Sequence, residues 1–381
     1  ASNNTAVGFK SLNKNTTGTR NNAFGALSLD ATTTGGYNSA FGYNSLGANT
    51  TGEENVAIGD NAGADNTTGD KNTAVGTSSL SSNTTANKNT AMGYAALNAN
   101  TTGFENTAIG SLALDANNTG SYNTAMGSQN MGANTTGSQN AAFGGYALDA
   151  NTTGSFNTAI GMHSLGANTT ASDNTAVGKG AMAANTTGSQ NTSIGGAAHS
   201  LVTTGIQNTA LGFNAGHTII TGSYNCHIGS LSVGGSSSGV QYELVVGTTN
   251  SSLVGKGNST GFIAPGGTGA VYQGNNSSSW ATTSDRRIKK NIKDNTIGLE
   301  KINNIRVRNF EYRTEDEITD FDNPLSAVVK KEGIQLGVIA QEIETILPDV
   351  VKEESTGVKS VNPDNLTWYL VNAVQELSTQ V

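Results

Sequence analysis

Residues 106–122 read Asn106-Thr107-Ala108-Ile109-Gly110-Ser111-Leu112-Ala113-Leu114-Asp115-Ala116-Asn117-Asn118-Thr119-Gly120-Ser121-Tyr122, and at Asn123 the pattern begins again. Asn recurs at Asn4, Asn21, Asn38, Asn55, Asn72, Asn89, Asn106, Asn123, Asn140, Asn157, Asn174, Asn191, Asn208 and Asn225, always 17 residues apart and without insertion. Four residues after each Asn stands a Gly, from Gly8 to Gly229. The residue before that Gly is always apolar, as in Val7, Phe24, Ile58, Met92, Ile109 and Leu211, and the one before that is nearly always Ala. A second apolar site holds Leu12, Leu29, Leu46, Leu80, Leu97, Leu114, Met131, Leu148, Leu165 and Met182. Thirteen residues after the Asn of each of the first thirteen copies comes an unbroken Thr series, Thr17 to Thr221, usually followed by Gly.

A 17-residue unit is too short for a helical hairpin repeat and fits one coil of a β-solenoid, expected as two short strands and two turns. Stacking puts each residue type over its own copy at about 4.8 Å, so fourteen coils make a rod of roughly 65 Å. The Val/Ile/Phe positions form an apolar ladder, and stacked Asn side chains can hydrogen-bond to one another. Two large apolar side chains per coil make a thin core, so the rod would gain by burying one face against two copies of itself. Fourteen faultless periods argue against a disordered Asn/Thr/Gly linker. The Asn-Thr-(Ala)-(Val/Ile)-Gly and Ser-Leu pattern resembles the head repeats of trimeric autotransporter adhesins, which implies a trimeric β-roll.

Other readings of the repeat are weaker. Asn-Thr-Thr matches a glycosylation acceptor many times, but Asn and Thr are read as ladder and turn residues. His163, His199 and His217 lack metal-ligand spacing, and Cys226-His227 reads as a substitution in the last coil. No metal or cofactor is expected. Paired Thr positions such as Thr101-Thr102 raise an ice-binding array, but neighbours in a strand face opposite ways, leaving one outward column. No paired carboxylates suggest glycoside hydrolysis.

Composition sets the remaining limits. Gly is 49 of 381 residues with only 4 Pro, which excludes collagen. A net charge of −8 leaves no basic footprint for nucleic acid, no apolar run suggests membrane insertion, and the single Cys226 excludes an internal disulfide. Residues 284–381 hold 30 of the 48 charged side chains. The expected organisation is a mostly β chain: a solenoid shaft over 1–230, a β-rich neck over 231–283 and a small α+β domain over 284–381. In that last part strands are expected near 307–312 and 336–340. Helices are expected near 296–302, capped by Asn295, at 341–347, stopped by Pro348, and after Pro363. A hairpin is expected around Gly357. Leu366, Leu370, Ala373 and Leu377 read as a coiled-coil seam suited to a trimer axis.

The boundary carries Ser284-Asp285-Arg286-Arg287-Ile288-Lys289-Lys290-Asn291-Ile292. With Gly337-Val338-Ile339-Ala340-Gln341-Glu342 and the closing helix, it resembles the chaperone-of-endosialidase family found at the C-terminus of phage tail fibres and tailspikes. Lys290 beside Lys289, and Ile288 where Leu is usual, are small departures. The resemblance implies an intramolecular chaperone that assembles a homotrimer and then cuts itself free. It makes Ser284 and Lys289 a catalytic dyad, with cleavage between Ser284 and Asp285. A Ser nucleophile needs a base, and a Lys serves once burial or nearby cations such as Arg286, Arg287 and Lys290 drive off its proton. Without the family, Ser284-Asp285 would read as a turn cap beside a solvated basic run. The expected role is a virion tail fibre or spike that meets a host-surface glycan or protein receptor. The alternative is a cell-surface trimeric adhesin whose chaperone domain does not cleave.

Overall fold

The computed structural model describes residues 1–235, 238–248, 253–265, 271–274, 286–318, 329, 332–353 and 358–380. The chain divides into two compact units, Ala1–Thr283 and Ser284–Val381.

Unit 1 is a β-solenoid with one three-residue strand per coil, from β1 (Thr5–Val7) to β14 (Cys226–Ile228). The strands stack in parallel with a 17-residue offset, pairing Thr107 with Thr124, Ala108 with Ala125 and Ile109 with Met126. The rest of each coil is turn and bend, so the second strand expected per coil is absent. Its place is taken by residues with left-handed backbone, three in many coils, for example Leu112, Leu114 and Tyr122. These corners fold the chain back too tightly for a second strand.

Side chains alternate along the strand, so the middle Ala of each coil turns inward and is fully buried from Ala23 to Ala210, with Ser193 in its place once. The buried Leu and Met residues, Leu29 to Met182, pack beside these Ala residues to form one continuous core. The Val/Ile/Phe column faces the other way. It is a ladder, but an outward one, with Phe24 and Phe41 stacked flat at 4.9 Å.

Two Asn ladders close the coils. Each Asn of the first series accepts, at Oδ1, the backbone N–H of the next Asn, as in Asn123 N to Asn106 Oδ1 at 2.9 Å. Its Nδ2 donates to a carbonyl 14 residues on, as in Asn106 to Gly120 at 2.8 Å. A second buried Asn series, Asn49 to Asn185, stacks side chain to side chain, as in Asn117 Nδ2 to Asn100 Oδ1 at 2.9 Å. It donates to the same carbonyl, Asn117 Nδ2 to Gly120 O at 2.9 Å. This ladder stops where Val202 replaces Asn, leaving Asn185 Oδ1 without a partner. In the Asn-Thr-Thr triplets from Asn49 to Asn185, the would-be acceptor Asn is therefore inside the coil. Of the two Thr columns, Thr16, Thr50 and their equivalents donate to the next coil's carbonyl, as in Thr50 Oγ1 to Thr67 O at 3.0 Å, while the Thr17 column is exposed. The Gly after the strand is needed twice over. At Gly110, φ is +134°, and a Cβ would stand 2.4 Å from Gly127 O.

Parallel stacking outlasts the sequence period. Leu244–Thr248 pairs with β14 after an 18-residue step, and Thr260–Pro265 pairs with it after 17 more. Val271–Gly274 then runs antiparallel. At this end the core turns polar. His199 takes the Leu position and His227 the Ala position, both fully buried. Their rings lie 6.1 Å apart over Gly216, whose missing side chain makes the room. Ser193 Oγ sits 2.9 Å from His199 Nδ1, and Glu243 Oε2 lies 3.6 Å from His227 Nε2. The buried Glu243 carboxylate also accepts N–H groups from Gly235 at 3.0 Å and Gly257 at 2.6 Å.

Unit 2 contains α1 (Leu299–Asn303), α2 (Ala340–Ile346) and α3 (Pro363–Gln380), with two small antiparallel pairs: Arg308–Phe310 with Gln335–Gly337, and Val351–Glu353 with Lys359–Val361. The core joins Ile343, Leu347, Val350 and Tyr369. Asn295 accepts from Ile297 N at 2.9 Å, forming a turn ahead of α1 rather than its cap. The 335–337 strand is an edge with Leu336 exposed, not the buried strand expected. Gly357 lies outside the described residues.

Asn106→Ala removes an acceptor for Asn123 N and a donor to Gly120 O, both buried. It should destabilise the shaft by about 2–4 kcal/mol, whereas Thr119→Ala on the exposed column should stay within about 0.5 kcal/mol; urea unfolding reads both. A pH effect also follows. Burial, with His227 alongside, pushes His199 down to about 3 from its ordinary 6.5. The unfolded chain takes a proton below about pH 6.5 that the folded coil refuses. Stability is therefore full above that pH and falls by up to about 1.4 kcal/mol per unit on acidification. Thermal melts at pH 7.5 and 5.0 should show this loss shrinking in His199→Leu, the residue that column normally carries.

Candidate functional site

Ser284 and Asp285 lie outside the described residues, so no distance relates Ser284 to Lys289. Lys289 follows a 3-10 turn at Arg286–Ile288, and its N–H donates to Arg286 O at 3.2 Å. Lys289, Arg286, Arg287 and Lys290 are all exposed. Burial of Lys289 is not provided by the described residues of unit 2.

From Lys289 the chain runs exposed to Ile297, with Ile292 and Ile297 showing apolar surface to solvent. It is then fastened to α3. Asn372 Nδ2 donates to Asn295 O at 2.8 Å and Ile297 O at 3.1 Å, and Leu299 N donates to Glu376 Oε2 at 2.9 Å. Gly298 passes so close that a Cβ would stand 2.4 Å from Ala373 N. Residues 293–295 line an open cleft with Asp349, Trp368 and Asn372. The segment that carries Lys289 is thus anchored to the closing helix.

The closing helix has two faces. Leu366, Tyr369 and Ala373 turn inward, and Tyr369 donates to Asp349 Oδ2 at 2.8 Å, which raises the Tyr369 pKa. Leu370, Val371, Val374 and Leu377 are exposed. The expected seam is therefore split: Leu366 and Ala373 belong to the unit's own core. The free apolar stripe is Leu370, Val374 and Leu377, whose spacings of four and three residues are those of a coiled coil. Reading one seam from four apolar positions missed Val374, and nothing in the apolar spacing alone says which stripe the domain keeps. Across the domain, Arg308 grips Glu342 through two hydrogen bonds of 3.2 and 2.8 Å, and its guanidinium holds the Glu342 carboxyl below the usual range. This ties the 308–310 strand to the Gln341-Glu342 motif at the start of α2.

Among the described residues no three His, Cys, Asp or Glu side chains converge as a metal would require. No described helix is long and apolar enough to cross a membrane.

Residues 284–352 match the family model described as "Chaperone of endosialidase". Neither a curated protein nor a solved structure matches the chain. The matched segment begins at the boundary between the two units. With the β-solenoid before it, the match fits a tail fibre or tailspike protein that ends in an intramolecular chaperone domain.

Proposed function

We propose that this chain is the shaft and C-terminal chaperone of a trimeric, phage-like tail fibre or spike involved in host attachment. Unit 2 brings three chains together, then releases itself by cleavage between Ser284 and Asp285. The observation that carries this reading is the family match at 284–352 directly behind a solenoid shaft. The exposed Leu370, Val374 and Leu377 stripe supplies a surface on which three α3 helices would pair. The exposure of Lys289 adds a timing argument. A base that one chain leaves in water gains its burial only when copies come together, so cleavage waits for assembly. Lys289 takes the proton that activates Ser284. Hydrolysis consumes one water and leaves a carboxylate on residue 284 and an amine on residue 285. The shaft remains on the virion or cell exterior, where a host-surface glycan or protein is its partner.

Wild-type chain should yield fragments ending at residue 284 and starting at residue 285 by intact mass. Ser284→Ala and Lys289→Ala should each leave a full-length trimer, with cleavage slowed at least about 10³-fold. Lys289→Arg, which keeps the charge but cannot give up its proton, should be equally inert. A wild-type chain that folds completely and stays intact would overturn the cleavage half of this reading and leave only the chaperone half standing.

A further inference from the structure

We propose that copies of this chain zip together along one defined face of the shaft. That face is the outward side of the stacked strands, formed by the column from Val7 to Ile228 and the column from Thr5 to Cys226 beside it. This rests on the trimer reading above and names the surface that reading leaves open.

The face is built by the two-residue alternation of the strands. In each coil the middle residue enters the core, so its two neighbours share the outer side. The third position is apolar in all fourteen coils, and eleven of these side chains expose 36–56% of their surface. The first position is uncharged in all fourteen coils, most often Thr. None of the sixteen charged side chains of residues 1–230 falls in a strand; all lie in the turns. An accident of composition would not keep one face free of charge over fourteen coils while Lys, Asp and Glu sit in the other columns. The exposed Thr17 column is suited to water, and another aromatic-bearing column sets Tyr37, Tyr122, Phe156 and Tyr224 among the charges of Arg20, Lys71, Lys88 and Glu105.

A parallel sheet is normally covered on both faces. Here the coil covers one. An apolar stripe running the length of the shaft is longer than single proteins commonly leave open. At roughly 60 Å² per side chain it offers on the order of 800 Å² per copy, the share one partner contributes to a standard interface. The occupant is a second copy because the match must hold for the whole length. Only another shaft with the same axial repeat presents an uncharged apolar column at every step. The Thr, Ser and Asn side chains of the first column stand at the margin of that contact, where they can hydrogen-bond across it.

The test is disulfide trapping in the full chain. Cys226, itself on this face, is replaced by Ser, and one new Cys is introduced, either Ile109→Cys on the face or Thr119→Cys on the exposed Thr column. Oxidation of purified protein should give denaturant-resistant chain pairs from Ile109→Cys in at least tenfold greater yield than from Thr119→Cys. Ile160→Cys repeats the face arm if Ile109→Cys does not fold. Trapping at residue 119 and not at 109 or 160 overturns the face while leaving the trimer intact. Equal trapping at both positions overturns the face as well. A sedimentation mass of one chain for the unmodified protein overturns the trimer reading itself. As a second arm, Ile58→Lys with Ile109→Lys and Ile160→Lys leaves the core of each coil untouched. It should lower the trimer's thermal midpoint while chains held by unit 2 still fold their coils; an unchanged midpoint counts against the face.

Discussion

In most coils one carbonyl receives two side chains, and the shaft depends on it. Gly120 O accepts from Asn106 Nδ2 and Asn117 Nδ2, while Asn106 Oδ1 accepts the N–H of Asn123 in the next coil. Asn suits this because its amide gives a donor and an acceptor at opposite ends of one short planar group. The donor closes the coil across 14 residues and the acceptor fixes the next coil above it. In a buried setting each unmet partner would cost about 1–3 kcal/mol. Both bonds set anchor points that a change in coil length has to satisfy, as in the 18-residue step after Asn225, where Nδ2 donates to Val240 O at 2.7 Å, 15 residues on, and Oδ1 still accepts the next coil's N–H.

Fastening the coil this way relaxes the demand on everything else. The core needs only one or two Ala and one Leu or Met in most coils, because hydrogen bonds rather than bulk hold the layers. It also tolerates left-handed backbone at Leu, Tyr, Lys and Gln, which ordinarily costs about 1–2 kcal/mol each. The ladders can be replaced where other contacts take over. At the end of the shaft Glu243 stands where Asn would come next, and its N–H still donates to Asn225 Oδ1 at 3.0 Å. Its carboxylate turns inside to hold Gly235 and Gly257 beside His227. The last coil thus exchanges a repeating amide ladder for a single buried carboxyl group.

The repeat length and the stacking of each residue type over its own copy were legible in the sequence, because stacking forces like onto like, whereas the confinement of the strand to the Thr-Ala-Ile segment shows only in the structure. The direction of the Val/Ile column was not. An apolar residue reads as core, yet with Ala between Thr and Ile the coil has room inside only for the small side chain. The corners were hidden too: Leu114 and Tyr122 are not residues that announce left-handed backbone. The second Asn ladder was legible, since Asn49 to Asn185 keep the same step, but it sits in triplets that read equally as turns. At the candidate site, Lys289 could be located from its motif. Its exposure could not, because burial depends on what the segment after it packs against.

The same regularity that makes the shaft strong leaves it unable to place itself. If copies meet along the strand face, a shift by one coil sets Ile109 against Met92 or Met126 at nearly unchanged cost, so the contact energy hardly distinguishes correct from slipped alignment. The shaft's own breaks in the pattern are few. Gly63, Gly216 and the pair His199 and His227 interrupt the inner column, where they shape a coil but do not face a neighbour. Alignment between chains therefore has to come from a surface without a repeat. Unit 2 is such a surface: its exposed Leu370, Val374 and Leu377 occur once per chain, on a helix fastened through Asn372 and Glu376 to the segment that leads back to Lys289. A registering element is needed only until the ladders have formed, because afterwards a slip would require breaking every coil contact at once. A domain needed once and then dispensable is the physical setting in which self-removal costs the finished fibre nothing.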